Sequence, residues 1–163
     1  MIQIPTCPDT LPEVFNPSVL EDDNKWYSTR NGVGKLRPLM FNVSNGSMVA
    51  VLKMQGAGNV ARHHHSSSVT AWTIDGAWGY REYDWVARAG SFVYEPPGHI
   101  HTLYVHPSEG RMLVLFHSHG PLGYVDEKDN LIGYDDVFVQ LGRYRQHCKE
   151  QGLSDEWLQS LIR

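Results

Sequence analysis

Cysteine is almost absent from this sequence, and no hydrophobic run is long enough to cross a membrane. Only Cys7 and Cys148 occur among 163 residues, and neither belongs to a CxxC motif. A disulfide framework and a cysteine zinc site are therefore not expected, and the pair is interpreted as two free thiols. The opening "MIQIPTCPDTLPEVF" lacks the basic start and apolar stretch of a signal peptide. Since a bilayer span needs about 20 apolar residues, we expect a cytoplasmic protein without membrane contacts.

Positive charge is also scarce. The formal net charge is −4 and the sequence contains no long basic run, so a surface for nucleic acids is not expected. No internal repeat occurs at a fixed period, which argues against a duplicated barrel. What the sequence does contain is 41% hydrophobic residues, with five Trp and eight Tyr, enough for the packed core of one domain.

The sequence divides into three regions. Residues 1–25 are rich in Pro, Asp, Glu and Asn and predict an extended N-terminal arm. Residues 26–134 contain short β-type runs separated by Gly, Asn and Pro. Residues 135–163 predict a C-terminal helical segment, in which Asp135 or Asp136 caps "VFVQLGRYRQHCKEQ" and Ser154 caps "DEWLQSLIR". The β-type runs are "LRPLMFNV", "SMVAVLKM", "VTAWTI", "AWGYREYDWV", "SFVYE", "HTLYVH" and "RMLVLFH".

The spacing of these runs indicates an all-β fold. Strands that recur about every 8 to 12 residues, with turn signals such as "NGVG", "GAGN", "DG" and "PPG" between them, are typical of a β-sandwich or barrel. A parallel α/β sheet would need helical crossovers, which the pattern lacks. We therefore predict a single β-domain covered by short C-terminal helices.

Three consecutive histidines in "ARHHHSSSVTAWTIDG" predict a ligand site. Side chains alternate along a β-strand, so His63 and His65 point to one side and His64 to the other. The α-carbons of His63 and His65 would lie about 6.6 Å apart, close enough for both imidazoles to bind one metal ion. When only these three histidines are considered, a solvated strand end is as good an interpretation as a metal site.

A second motif strengthens the metal interpretation. In "GSFVYEPPGHIHTLYV", Gly90, Pro96, Gly98 and His101 follow one another at the spacing of the second cupin motif. His63, His65 and Gly76 match the first cupin motif. The chain therefore resembles the cupins, and the resemblance implies a jelly-roll-like β-barrel in which His63, His65 and His101 bind a metal ion.

Two positions depart from the cupin pattern. The glutamate ligand of the first motif falls on Val69, and the final Asn of the second motif falls on Val105. The resemblance with these departures implies a site of three neutral histidines. In octahedral geometry such a site leaves three positions open, which favours a bidentate anionic substrate together with dioxygen.

Within the cupins, residues 26–144 resemble the 2,4'-dihydroxyacetophenone dioxygenase group, and more distantly acetylacetone dioxygenase. The resemblance rests on "HHHSSSVTAWTIDGAWGYREYDWVARAGSFVYEPPGHIHTLYV" and "GPLGYVDEKDNLIGYDD". It implies an Fe(II) enzyme that uses O2 to cleave a carbon–carbon bond next to the ketone of a hydroxyketone or diketone. Zn(II) or Ni(II) would be substitutes in a purified sample.

Other residues are candidates around this site. Glu95, immediately before the Pro-Pro-Gly turn, is a candidate for proton transfer beside the metal, with a surface carboxylate as the equal alternative. A pocket for an aryl substrate is predicted from residues that also suit an ordinary barrel core. His99 shares a face with His101, so a ligand set that uses His99 is an alternative, disfavoured because His99 lies inside the turn and outside the cupin motif. His106, His119 and His147 are interpreted as surface or hydrogen-bonded residues. The predicted pocket residues are Val69, Trp72, Trp78, Tyr80, Leu103 and His117.

Two other functions compete with an enzyme of this kind. Cupins resembling the metal-binding domains of anti-sigma factors hold zinc in a sensing or structural role. A structural zinc site normally has four protein ligands, whereas three are predicted here, which favours the enzyme. A metal-free sugar epimerase on the same barrel would not need all three histidines. The exposed arm and the sheet edges predict a homodimer or homotetramer.

Overall fold

The computed structural model describes residues 10–163. Cys7 and the first nine residues of the predicted arm lie outside this range. The rest of the arm runs without strand or α-helix as far as a 3-10 helix at Asp23–Lys25. The side-chain amide of Asn16 donates to the carbonyl oxygen of Leu39, which holds this part of the arm against the domain.

Twelve strands and two helices form the domain within the described residues, and they confirm the all-β prediction with short C-terminal helices. Burial alternates along the strands, because one face of each strand points into the barrel. On β4, for example, His63 and His65 are buried and His64 is half-buried. The elements are β1 Tyr27–Ser28, β2 Gly34–Asn42, β3 Ser47–Gln55, β4 His63–His65, β5 Val69–Tyr80, β6 Ala87–Arg88, β7 Phe92–Glu95, β8 Ile100–His101, β9 Leu103–Val105, β10 Arg111–Ser118, β11 Leu122–Val125, β12 Leu131–Asp135, α1 Val137–Gln151 and α2 Asp155–Ser160.

The strands form two sheets. The larger sheet has the order β1-β2-β3-β10-β5-β6, with β7 and β9 also paired to β5, and the smaller has the order β12-β11-β4-β8. The pairs between neighbouring strands are antiparallel. The smaller sheet carries the histidine triplet on β4, between β11 and β8.

Strand β5 corrects the sequence prediction at "DG". The two runs "VTAWTI" and "AWGYREYDWV" were predicted as separate strands with a turn at Asp75–Gly76, but residues 69–80 form one strand. A β-bulge leaves Ile74 without a partner on β10, and Gly76 adopts a φ of +75° there. The bulge reverses the alternation, so Ala71 and Tyr80 both face the same core cluster.

The run "HTLYVH" is also divided differently from the prediction. Ile100–His101 pairs with β4 in the smaller sheet, whereas Leu103–Val105 pairs with β5 in the larger sheet. Between them, the backbone N–H and the hydroxyl of Thr102 donate to the carboxylate of Glu82. The chain therefore changes sheets at Thr102, which turns His101 toward β4.

Two apolar clusters hold the domain together. One fills the barrel, and it includes Trp78, Tyr80, Leu103 and Met112. The other lies between β2 and the C-terminal helices. Helix α1 contributes residues spaced like one face of an amphipathic helix, namely Val137, Leu141, Tyr144 and Cys148.

The helix caps resolve the alternatives left by the sequence. Asp136 caps α1 by accepting a hydrogen bond from the N–H of Val139 (2.7 Å), and Ser154 caps α2. Asp135 instead ends β12 and is buried. No helix within residues 10–163 is long and apolar enough to cross a membrane.

Candidate metal centre

Two neighbouring strands bring the three predicted histidines together. His63 lies directly opposite His101 in the antiparallel pair of β4 and β8, and His65 lies two residues along β4 on the same face. One ring nitrogen from each of the three lies within 4.8 Å of the others. His64, which lies between the two on β4, is half-buried.

Burial keeps the three imidazoles neutral. It lowers the pKa of His63 to about 4 and that of His65 to about 3. Burial, together with the neighbouring histidines, lowers the pKa of His101 to about 2. At pH 7 each ring therefore offers a lone pair, the form in which histidine binds metals.

The Nδ1 of His63 lies 2.7 Å from the carbonyl oxygen of Ala61. A carbonyl only accepts, so Nδ1 carries the proton and Nε2 has the lone pair. A backbone partner of this kind fixes both the tautomer and the direction of a metal-binding histidine. The carbonyl group of Ala61 thus leaves Nε2 of His63 free to bind a metal ion.

A carboxylate lies beside the three histidines, and it is Glu95, the residue that the sequence suggests for proton transfer; the group of possible metal ligands is still the three histidines. Glu95 is buried at the end of β7. Its Oε2 lies 3.3 Å from Nε2 of His65 and 3.6 Å from Nε2 of His101. In the pairing of β5 with β7, Glu95 is the direct partner of Val69. Glu95 therefore lies on the strand next to Val69, the position where the cupin carboxylate ligand is absent.

Tyr80 holds both Glu95 and His101. Its hydroxyl donates to Oε1 of Glu95 at 2.6 Å, and its ring stacks on the imidazole of His101, with centroids 3.7 Å apart and planes at 4°. Burial raises the pKa of Glu95 to about 7, although the hydrogen bond from Tyr80 acts in the opposite direction. A nearby divalent cation would favour the ionised carboxylate.

The unpartnered atoms of this cluster fit a metal ion. Among the described residues, Oε2 of Glu95 and both ring nitrogens of His101 are buried without a hydrogen-bond partner. Buried polar atoms normally have partners. Two ligands of a tetrahedral metal with bonds of about 2.0–2.1 Å lie about 3.3 Å apart, which is close to the distances between Glu95 and the two histidines. The group therefore suits a divalent cation.

A cavity of about 340 Å³, here called the inner cavity, borders this cluster. His63 and His65 form part of its wall, with Val69, Tyr80 and Leu103 from the predicted pocket. A second cavity of about 480 Å³, the outer cavity, borders His101 and Glu95. Tyr80 lines both cavities, so the cluster can be approached from two sides.

Three residues of the predicted pocket lie elsewhere. Trp78 is fully buried in the barrel core, where its indole N–H donates to the hydroxyl of Thr73. Trp72 is 53% exposed on the outer face of the larger sheet. His117 pairs with Thr70, and so shares that outer face, because strand side chains alternate. None of the three residues lines the inner or the outer cavity, which corrects their assignment to the pocket.

The remaining histidines lie apart from the cluster. Nδ1 of His99 hydrogen bonds with the hydroxyl of Tyr83, and His147 hydrogen bonds with the carbonyl oxygen of Asn24. The ring of His119 lies beside that of His117. These positions agree with surface and hydrogen-bonded roles.

Sequence reasoning missed a polar group at another part of the inner-cavity wall. Arg30, Asp135, Gln140 and Arg143 line the cavity there. These residues come from opposite ends of the sequence, and only the fold brings them together. The one local signal was Asp135, which the sequence suggested as a helix cap.

Comparisons with known proteins agree with this fold. The family described as the ChrR cupin-like domain matches residues 18–123. An RmlC-like cupin protein from Ralstonia eutropha is 31% identical, with a TM-score of 0.76, and the match covers 82% of this chain and 88% of that one. No curated protein sequence matches the chain significantly.

Two further structures are similar. A protein with a cupin-like fold from Ralstonia eutropha is 26% identical, with a TM-score of 0.72 and coverage of 85% of this chain and 90% of that one. An acetylacetone dioxygenase from Acinetobacter johnsonii has a TM-score of 0.75 at 16% identity, with coverage of 90% and 99%. At that identity the likeness concerns the fold.

Proposed function

The chain belongs to the ChrR cupin-like domain family, and on that premise we propose that it is an iron(II) dioxygenase that cleaves a carbon–carbon bond next to a ketone. The observation that carries the proposal is the meeting of three buried, neutral histidines beside Glu95, with His63 and His65 in the wall of the inner cavity. The shared fold of an acetylacetone dioxygenase supports it. We propose a hydroxymethyl ketone or a β-diketone as the substrate.

The overall reaction balances without a further reductant. A hydroxymethyl ketone, R–CO–CH2OH, and one O2 give R–COOH and formic acid, with one oxygen atom of O2 entering each acid. Bound iron would supply Lewis acidity toward the ketone and electrons toward O2. The ketone oxygen and its neighbouring hydroxyl would bind as a chelate beside the histidines.

The protein's own residues orient the substrate and move protons. His63, His65 and His101 would hold the metal, and the apolar wall of the inner cavity would exclude water from the reacting atoms. Glu95 would accept the proton that the hydroxyl or the acidic carbon of the substrate releases, and would return it to a product. The hydrogen bond from Tyr80 fixes the carboxylate for this transfer.

Oxygen uptake tests this function. The protein is reconstituted anaerobically with ferrous iron, and 2,4'-dihydroxyacetophenone or acetylacetone is added before air. We expect O2 consumption with at least one substrate, matched by acid formation. His101→Ala should lose both metal and oxygen uptake, whereas His64→Ala should keep both. Metal retained in full by His101→Ala, or no uptake with either substrate, would contradict the proposal.

One observation favours a second candidate, a zinc-binding module with a structural or sensing role. Glu95 lies near two of the histidines, and as a ligand it would raise the number of protein donors to four, the number usual in structural zinc sites. The family match to a ChrR cupin-like domain also points in this direction. Zinc that binds tightly and raises the melting temperature, in a protein that consumes no O2 with iron, would establish this alternative.

A further inference from the structure

The inner cavity has a polar cluster in its wall, away from the histidines. We define the anchor cluster as Arg30, Tyr124, Asp135, Gln140 and Arg143, all of which line the cavity. Asp135 is at its centre and is almost completely buried, with a side chain only 1% exposed. A charge so deeply buried normally has strong partners.

The partners of Asp135 use its acceptor positions. Arg30 donates to Oδ1. The hydroxyl of Tyr124 and the amide of Gln140 each donate to Oδ2 at 3.0 Å, and Arg143 lies 3.5 Å from the same atom. An ionised carboxylate has about four acceptor positions. Asp135 therefore has little capacity left for a ligand.

The free hydrogen-bonding capacity in the cluster consists of donors. Among the described residues, Arg30 uses only Nη2, which donates to Asp135 and to the carbonyl oxygen of Tyr134. Its side chain is 49% exposed, and Nε and Nη1 are available. The other carboxylate in this wall, Asp136, lies outside the cluster and caps α1 by accepting from the N–H of Val139, which leaves it further acceptor positions. At Arg30, a ligand that accepts hydrogen bonds fits.

The register of the smaller sheet fixes the distance between the two polar regions. His65 pairs with Leu122, and Leu122 pairs with Asp135. Paired residues on adjacent strands point to the same side, and two strand spacings amount to about 10 Å. Leu122, an apolar residue that also lines the cavity, lies between His65 and Asp135 in this register. One aromatic ring with a polar group at each end would span this distance.

From this geometry we propose that the inner cavity selects a substrate with a carboxylate at the end opposite its ketone, and that Arg30 binds this carboxylate. The inference rests on the proposed function for placing the ketone at the histidines. It names the substrate class as keto acids with an aromatic or similarly compact apolar middle. A guanidinium suits this role because it binds a carboxylate through two parallel hydrogen bonds.

Calorimetric binding to the zinc-loaded protein tests the inference without turnover. The probes are 4-(hydroxyacetyl)benzoate and its neutral analogue, 2-hydroxy-4'-methylacetophenone. We expect the benzoate to bind at least about tenfold more tightly. Arg30→Gln should abolish that preference. Arg111→Gln is the matched control, because Arg111 also pairs with an aspartate, Asp75, and its side chain is 51% exposed. This control should leave the preference unchanged.

Equal affinity for the two probes, or no binding of the benzoate, would overturn the inference. So would an Arg30→Gln variant, folded by its melting temperature, that weakens both probes equally. The comparison of probes on the unaltered protein does not depend on any variant. Oxygen uptake by the iron-loaded protein, measured with each of the two probes as substrate, separates this inference from the proposed function. A benzoate preference without oxygen uptake would overturn the dioxygenase alone, and uptake without a preference would overturn only the anchor.

Discussion

Glu95 is the residue that most changes the chemistry expected of the site. In the sequence, Val69 occupies the position of a cupin carboxylate, and the histidines alone would leave the charge of a divalent ion uncompensated. In the fold, Glu95 lies beside Val69 on the adjacent strand and reaches two of the histidines. A carboxylate so placed lowers the electrostatic cost of binding the metal.

This placement predicts different effects for two conservative substitutions. Glu95→Gln keeps the shape but removes the negative charge, so we expect zinc affinity to fall by about 10- to 100-fold. Tyr80→Phe removes only the hydrogen bond to Glu95 and should reduce affinity less. Competition with a chromophoric chelator measures both. An unchanged affinity in Glu95→Gln would show that the carboxylate does not act on the metal.

At the scale of single elements, the bulge in β5 connects fold and site. Gly76 has a φ of +75°, and a Cβ added there would lie 2.1 Å from the carbonyl oxygen of Arg111. Because the bulge reverses the alternation of the strand, it places Tyr80 on the interior side, against Glu95 and His101. One glycine thus determines whether the residue that positions the carboxylate faces the site.

Replacement of this glycine should be costly. Gly76→Ala must relieve both the backbone strain and the clash, so we expect a loss of about 2–4 kcal/mol in the free energy of unfolding. Gly90→Ala is the control, because Gly90 has a φ of +86° but no atom within 4 Å of the added Cβ. The Gly90→Ala variant should lose only about 1–2 kcal/mol in the free energy of unfolding. Urea denaturation measures both, and equal losses would contradict the role of the clash.

The sequence alone predicted elements whose signals are local. Helix α1 was predicted over the residues that form it, and its cap at Asp136 was one of two candidates, because capping depends on neighbouring residues. The glycine in "DG" predicted a turn, but a glycine with positive φ suits a bulge equally well. Strands β11 and β12 were not among the predicted runs, because Gly123 and Gly133 interrupt their patterns.

The residues of the site were likewise predicted only where their signals are local in the sequence. Alternation placed His63 and His65 on one face, and the cupin motif added His101. The proximity of Glu95 to His65 and His101 depends on the pairing of β5 with β7, and no short motif encodes this pairing. The anchor cluster joins Arg30 to Asp135, 105 positions apart. Contacts between such distant residues are set by the fold of the whole chain.

For the whole molecule, the buried cluster ties stability to pH. Burial lowers the pKa values of His63, His65 and His101 far below 6.5, so the unfolded chain binds three protons at mildly acidic pH that the native protein does not. Glu95 acts oppositely, because its pKa is raised from 4.5 to about 7 and the native protein holds that proton. Between pH 6.5 and 4.5 the unfolded state therefore binds about two more protons.

The metal-free protein should consequently lose stability on acidification within this window. At about 1.4 kcal/mol for each proton and pH unit, the loss is at most about 3 kcal/mol per unit. Urea denaturation in the presence of EDTA at pH 6.5, 5.5 and 4.5 measures it. His101→Asn removes one of the three titrating rings and should flatten the dependence. Stability that stays constant or rises as the pH falls would contradict the burial of neutral imidazoles.

The central claim, an iron site that inserts both atoms of O2 across a carbon–carbon bond, is tested most directly by isotope labelling. The iron-loaded protein is supplied with a hydroxymethyl aryl ketone under ¹⁸O2, and both acids are analysed by mass spectrometry. The account predicts one ¹⁸O atom in the aryl carboxylate and one in formate for each O2 consumed. Acids without label, or no acid formed at all, would contradict it.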